Sequence, residues 1–282
     1  MREIKIARVF PRITKATPTD ELVFYGCPPM FMPDIDEVHI SVSFTYDMKQ
    51  AEWLAKQWEM TGLPVKIGGP AFDAPGGDFI PGMYIKQGYV ITSRGCPNNC
   101  WFCRVPVREG GQMRELEIHE GNNVLDDNLL ACSDNHIKAV FEMLKHQKLG
   151  RPMFTGGLEA KRLKDWHVKL LRDLKPKEIF FAYDTPDDYE PLLEAGKKLL
   201  AAGFTTTSQT LRPYVLIGYP ADTFNKAEAR LLETIRAGFV PMAMLYRDKE
   251  GKVSKEWEKF QRFWARPATV NLKIKEIQNC MV

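Results

Sequence analysis

From Gly88 to Leu245 the chain alternates short β-rich runs with amphipathic helical stretches, and that alternation admits few folds. Six strands are predicted: Tyr89 to Ser93, Asn123 to Leu125, Pro152 to Thr155, Glu178 to Tyr183, Tyr214 to Ile217 and Val240 to Leu245. Helices fit between them. Ile137, Val140, Phe141 and Leu144 mark one, and Leu163, Trp166, Leu170 and Leu174 another. Leu192, Leu193, Gly196, Leu199 and Leu200 mark a third, and Phe224, Leu231 and Ile235 a fourth. Gly150, Gly203 and Gly238 stand where three of these helices should stop. Successive parallel strands joined by helices require right-handed crossovers, and six such units curve into an open barrel or a doubly wound sheet. In either arrangement the chemistry belongs at the carboxyl ends of the strands.

The first 82 residues carry a smaller pattern of the same kind. Val38, Ile40, Val42 and Phe44 alternate with polar residues in a strand from Glu37 to Tyr46. Asp47 is placed to cap a helix bearing Ala51, Leu54, Ala55 and Trp58, which Gly62 ends. A short strand from Pro64 to Ile67 follows, and the Gly/Pro-rich stretch from Gly68 to Gly82 reads as a connection. The expected fold class is therefore α/β: a small α/β domain over 1–82, then an open barrel or a doubly wound sheet over 83–282. Trp257, Phe260 and Trp264 share one helical face that would close the barrel end or pack the tail.

Charge leaves the substrate open, because 39 basic and 36 acidic residues give only +3. No apolar run is long enough to cross a bilayer, and Met1-Arg2-Glu3-Ile4-Lys5 lacks the apolar stretch of a secretion signal, so a cytoplasmic protein with no membrane partner is expected. Six cysteines are too few for a disulfide scaffold, and three fall within eight residues.

Those three, Cys96, Cys100 and Cys103, have the spacing C-x3-C-x2-C in a loop that leaves the first predicted barrel strand. A closed structural zinc site or an electron-carrier cluster needs four ligands, and no fourth Cys or His lies at a matching distance. A cubane held by three thiolates keeps one iron open. The competing explanation is a zinc knuckle or redox pair whose shell an Asp or His completes. With Phe102 just before the third Cys, the segment resembles the signature of the radical S-adenosylmethionine (SAM) superfamily. The resemblance implies a 4Fe-4S cluster on Cys96, Cys100 and Cys103, SAM chelating the open iron, and reductive cleavage to a 5'-deoxyadenosyl radical that takes hydrogen from a substrate. It also implies that residues 83–282 form a partial (β/α)6 TIM-like barrel of the radical SAM type, and an electron donor such as flavodoxin or ferredoxin.

The remaining candidates for SAM contact fall at predicted strand ends. Asp126, Asp127 and Asn128 stand where the superfamily commonly carries a Gly-Gly-Glu motif for the SAM amino group. Their oxygens suit an ammonium, though the trio would equally cap the next helix. Gly156 and Gly157 let backbone approach a ligand, and Glu159 and Lys161 follow them; an ordinary turn also uses Gly-Gly. Asp184 is placed to accept a ribose hydroxyl or to cap a helix. Gly218, ending Tyr214-Val215-Leu216-Ile217-Gly218, matches the superfamily segment that meets adenine.

Arg94, Arg104, Arg108 and Arg114 flank the cysteine loop, where they would bind a phosphate or carboxylate or lie solvated at the surface. Asp36 to Pro70 followed by Ser93-Arg94-Gly95-Cys96-Pro97 resembles the class with an amino-terminal cobalamin-binding domain, but residues 1–90 lack the Asp-x-His-x-x-Gly motif of a lower cobalt ligand. Cys103 to Arg114 resembles methylthiotransferases, without the cysteines of their second cluster. Hydrogen abstraction from a small-molecule, nucleotide or nucleic-acid substrate is the remaining expectation. The alternative is a non-catalytic Fe-S or zinc module that recognises nucleic acid through the arginines.

Overall fold

A computed structural model of the chain describes residues 4–248 and 250–280. It divides into two compact units. One runs to His119 and takes in the segment at Gly251; the other runs from Glu120 to Asp248 and resumes at Lys252. The division falls well beyond the boundary expected at residue 82. The reason lies in the pairing of residues 73–77 with the cysteine-bearing segment, described below, which makes the Gly/Pro stretch part of the first unit and not a linker.

The first unit contains β1 (Ile6–Phe10), β2 (Val23–Tyr25), β3 (Glu37–Ser41), α1 (Met48–Glu59), β4 (Val65–Gly68), β5 (Tyr89–Val90), β6 (Ser93–Arg94), α2 (Val105–Arg108) and β7 (Arg114–Glu115). Four of the strands form a parallel sheet in the order β2-β1-β3-β4. The alternation in β3 sends Val38 and Ile40 to one face, where they meet Leu54 and Trp58 of α1 with Ala7 and Val9 of β1. All six are essentially inaccessible. Each large side chain so buried stabilises the unit by roughly 1.5–3 kcal/mol.

Asp47 precedes α1 without capping it through its side chain. Its buried carboxylate instead receives Arg12 Nε and Nη2, each at 2.8 Å. A charge-assisted, two-pronged bond is stronger than a single neutral cap bond, so the guanidinium wins the carboxylate.

The predicted strand from Tyr89 to Ser93 is broken in two. Tyr89–Val90 forms β5, while Ser93–Arg94 forms β6 and pairs antiparallel with β7. Gly95, which follows β6, has φ +91°, and a Cβ there would lie 2.2 Å from the Gln112 carbonyl oxygen. Only glycine fits, and the chain can therefore turn into the cysteine loop directly after β6.

The second unit contains β8 (Asn123–Val124), α3 (Asp134–His146), β9 (Met153–Phe154), α4 (Asp165–Leu174), β10 (Glu178–Tyr183), α5 (Tyr189–Ala201), β11 (Leu211–Ile217), α6 (Phe224–Arg236), β12 (Met242–Leu245), α7 (Lys255–Trp264) and α8 (Pro267–Cys280). Its strands are parallel and sequential neighbours, in the order β12-β11-β10-β9-β8, with helices between them. Five of the predicted barrel strands lie within this unit, and the sheet to which they belong is open and does not close on itself. The helices start where polar caps demand it: Ser133 Oγ accepts from His136 N at 3.2 Å, Thr223 Oγ1 from Lys226 N at 3.3 Å, and Ser254 Oγ from Trp257 N at 3.2 Å. No helix among the described residues is long and apolar enough to cross a membrane.

Candidate active site

Every candidate predicted in the second unit lies at or just beyond the carboxyl end of one of its strands. Asp126 and Asn128 follow β8 and are buried. Asp127 between them is partly exposed, so the trio does not act as a single cap. The short helical turn after Asn128 has no side-chain cap bond from it. Instead Asn128 Nδ2 donates to Glu159 Oε2 at 2.7 Å, joining the loop after β8 to the loop after β9. Glu159 is oriented from its other side by Arg162 Nε at 2.6 Å. The predicted candidates Asn128 and Glu159 therefore meet, although 31 residues separate them.

Gly156 sits against the same loop. A Cβ there would come within 2.4 Å of the Asp126 carbonyl oxygen and 2.6 Å of the Leu125 carbonyl carbon, so this is a true backbone-on-backbone contact. Gly157, next to it, faces open space. Tyr214 of β11 donates its hydroxyl to the Thr155 carbonyl at 3.0 Å, which fixes the end of β9.

Asp184 follows β10 and is buried. It is not a side-chain cap; Asp188 plays that part, its Oδ2 accepting from Asp184 N at 3.0 Å and Thr185 N at 2.8 Å. Asp184 Oδ1 has no hydrogen-bond partner among the described residues. Burial first, and then the neighbouring Asp188 charge, push the Asp184 carboxyl up to about 7, against a hydrogen bond with the Leu216 backbone and the Arg230 charge that pull it down.

Gly218 follows β11. Its N–H donates to Asp222 Oδ2 at 2.8 Å, and the same oxygen receives Arg230 Nη2 at 2.8 Å. Arg230 Nη2 also reaches the Leu216 carbonyl at 2.9 Å, and its guanidinium lies 5.1 Å from the centre of the Tyr219 ring. The sequence reading missed this buried pair, because an Asp and an Arg eight residues apart carry no motif. Gly218 also lines a cavity of about 320 Å³ at the ends of β11 and β12, together with Tyr219, Tyr246 and Trp257.

In the first unit, Cys96, Cys100 and Cys103 form no disulfide and are of intermediate exposure. Cys103 N donates to the Cys100 carbonyl at 3.0 Å, closing a turn around Trp101 and Phe102. Phe102 is partly buried and meets the exposed Trp101 edge to face, with ring centres 5.4 Å apart. Among the described residues no three His, Cys, Asp or Glu side chains are grouped closely enough to hold a metal ion. The donor set fits a cluster by its chemistry: three cysteine sulfurs, partly shielded and in no disulfide, on one eight-residue loop.

The arginines around that loop are engaged by protein groups, and Arg104 and Arg114 remain 41% and 42% exposed. Arg94, Arg108 and Arg114 converge on Glu109, whose side chain is wholly buried. Arg108 Nε lies 2.9 Å from Oε1, Arg114 Nη2 2.5 Å from Oε2, and Arg94 Nη1 3.5 Å from Oε1. Gly76 N donates to the same carboxylate at 3.2 Å. Arg94 Nε also donates to the Gly77 carbonyl at 3.0 Å, Arg114 Nη2 to the Gly76 carbonyl at 3.1 Å, and Arg104 pairs with Asp73. The segment 73–77 is thereby bound to both flanks of the cysteine loop.

Comparison with known proteins adds a fold likeness. No protein-family model matches the chain, and no curated protein matches it significantly. The solved structure of the radical S-adenosylmethionine methyltransferase TsrM from Kitasatospora setae, with cobalamin and a [4Fe-4S] cluster bound, superposes with a TM-score of 0.62 at 11% identity, over 87% of this chain and 76% of that one. The same enzyme with tryptophan substrate and the SAM analogue aza-SAM gives 0.56 at 12% identity, over 74% of this chain and 62% of that one. The chain thus shares its fold with a radical SAM methyltransferase.

Proposed function

We propose that this protein is a radical SAM enzyme in which Cys96, Cys100 and Cys103 hold a 4Fe-4S cluster and the carboxyl-end loops of the second unit hold SAM. The observation that carries the reading is Asp184, a buried carboxyl with an unsatisfied oxygen at a strand end, in a fold shared with TsrM. A buried polar atom left without a partner costs roughly 1–3 kcal/mol, which a ligand hydroxyl would relieve.

Within this reading Asn128 and Glu159, already hydrogen-bonded to each other, offer an amide and a carboxylate oxygen to the SAM ammonium, with Asp126 and Asp127 alongside. Gly156 and Gly157 let the ligand approach the backbone after β9. Asp184 takes a ribose hydroxyl, and its elevated pKa leaves it able to donate as well as accept near neutrality. Adenine rests by Gly218, in the aromatic cavity at the ends of β11 and β12. Phe102 shields the cysteine turn from water. The cluster, when bound, supplies one electron to the sulfonium, from a donor such as flavodoxin or ferredoxin.

The 5'-deoxyadenosyl radical would then take a hydrogen atom from the substrate, giving 5'-deoxyadenosine and a substrate radical. Methyl transfer is a second reading, favoured by the likeness to a methyltransferase that binds cobalamin. Anaerobic reconstitution followed by dithionite and SAM tests both. About four irons per chain and 5'-deoxyadenosine as the adenosyl product support hydrogen abstraction; S-adenosylhomocysteine formed only with added cobalamin would replace it by methyl transfer. Zinc without iron or sulfide would favour the non-catalytic module instead.

A further inference from the structure

A cavity of about 340 Å³ lies at the amino edge of the second unit's sheet, the edge opposite the candidate active site, and no step above uses it. It opens where the chain enters three strands. Arg151 precedes β9, Lys175 and Pro176 precede β10, and Thr210 precedes β11. Arg172 near the end of α4 and the turn after α5 complete the wall.

Three cations line this cavity and no carboxylate does. Asp173, outside the lining, takes Arg172 through Nε at 3.1 Å and Nη2 at 3.0 Å. Among the described residues neither Arg151 nor Lys175 pairs with a carboxylate. Arg151 is held by carbonyls instead: Nε donates to that of Lys175 at 3.3 Å and Nη2 to that of Pro176 at 2.9 Å. Its position is fixed and its charge is unspent. Free carbonyls at a helix end would oppose an anion, but those ending α5 are used: Lys198, Leu199 and Leu200 receive the N–H groups of Ala202, Gly203 and Phe204. Of the hydroxyls, Ser208 donates to the Thr205 carbonyl at 2.7 Å, whereas those of Thr205 and Thr210 have no acceptor among the described residues. The backbone adds an independent observation. Lys175 closes α4 at φ +50° and ψ +57°, where glycine is the usual residue, so the chain accepts strain to place a lysine side chain in this wall. Gln209, between the lining residues Ser208 and Thr210, is likewise left-handed at φ +54°.

We infer that this cavity binds a phosphate dianion, seated between Arg151 and Lys175, either free or as the head of a small phosphomonoester whose body meets Phe204 and Pro176. The two uncompensated positive charges match the charge of about −1.5 to −2 that such a group carries near neutral pH. Thr205 and Thr210 donate their hydroxyl protons to its oxygens. The inference needs neither a cluster nor SAM, so it stands or falls apart from the proposed function.

Calorimetric titration of the full chain with phenyl phosphate, at physiological ionic strength, tests the site. Phenyl phosphate should bind at least about tenfold more tightly than phenol, its uncharged counterpart. Inorganic phosphate separates the two sources: weaker binding than the phenyl ester assigns the cavity to a phosphomonoester, and equal binding assigns it to free phosphate. Arg151→Gln should weaken phenyl phosphate binding by about tenfold. Because that change also releases two carbonyls, Lys175→Gly is the cleaner variant. Glycine suits the left-handed position, so this protein should melt no lower than the wild type while its binding falls by about threefold or more. Lys56→Gln removes one charge from an exposed position on α1 and should leave binding as it is. Failure to bind phenyl phosphate, equal affinity for phenol, or wild-type binding by Lys175→Gly overturns the inference. So does a loss in Lys56→Gln as large as that in Lys175→Gly, which would reduce the attraction to net charge without a site.

Discussion

Each unit buries one conspicuous carboxylate, and the two are treated in opposite ways. Glu109 in the first faces three guanidinium groups and a backbone N–H, and both of its oxygens accept hydrogen bonds. Asp184 in the second has an oxygen with no partner among the described residues, beside the like charge of Asp188. A well-satisfied buried ion is a structural node; an incompletely satisfied one at a strand end is, under the proposed reading, where a ligand would bind. The first unit thus spends its charge on holding the cysteine loop in place, and the second leaves its charge available.

The contrast is most severely tested at the cysteines. Cys100→Ala should abolish both iron retention and 5'-deoxyadenosine formation, read by metal analysis and chromatography, while the urea midpoint of the second unit stays put. Next in size is Glu109→Ala. Removing the buried carboxylate that three guanidinium groups share should destabilise the protein by about 3–5 kcal/mol in urea denaturation, because Arg94 and Arg108, themselves mostly buried, lose that counter-charge. If Glu109→Ala unfolds like the wild type, the node is not structural. Gly156→Ala should cost about 1–3 kcal/mol and weaken SAM binding, since the added methyl drives the loop after β9 off the Asp126 carbonyl.

The smallest effect concerns pH. Asp184 titrates near 7 in the folded protein and at 3.8 when exposed, so the native state holds the extra proton between those values and stability falls as pH rises from about 4 to about 7. His167 acts with the opposite sign. Burial first, then the Lys164 charge, lower it from 6.5 to about 4, while its Nδ1 accepts the Lys164 N–H at 3.0 Å to start α4. The unfolded chain takes up that proton more readily, so this contribution rises with pH over 4 to 6.5. The two largely offset in the wild type. Asp184→Asn should therefore unmask a stability that rises with pH across that window, and should lower SAM affinity by about tenfold; an unchanged pH profile would return Asp184 to the ranks of ordinary buried residues.

Much of the second unit was legible in the sequence because its signals are local. The β10 segment Glu178–Tyr183 is found with the bounds its apolar run predicts, and the helices fall where their apolar spacing places them. The candidates at strand ends followed from that alternation together with the resemblance to the radical SAM superfamily. The first unit was harder. Strand β1 contains Arg8 among its apolar residues, buried only because Asp20 and the carbonyls of Gly82 and Met83 receive it, and β2 has three residues. Neither carries a period that can be read. The Glu109 node was invisible for a similar reason: four charged residues within 21 positions look like a solvated stretch until β6 and β7 pair and bring them together. Local periodicity reports elements, whereas convergence of charge is a property of the tertiary fold.

The account turns on an iron atom left open for SAM. Pulsed electron–nuclear double resonance on the reduced, reconstituted protein, with SAM labelled at its carboxylate oxygen, reports that contact directly. A hyperfine coupling between the label and the cluster, lost in Cys100→Ala together with the cluster itself, is the predicted result. A stable four-iron cluster showing no coupling to labelled SAM would mean that a protein side chain closes the fourth site, and would contradict the assignment.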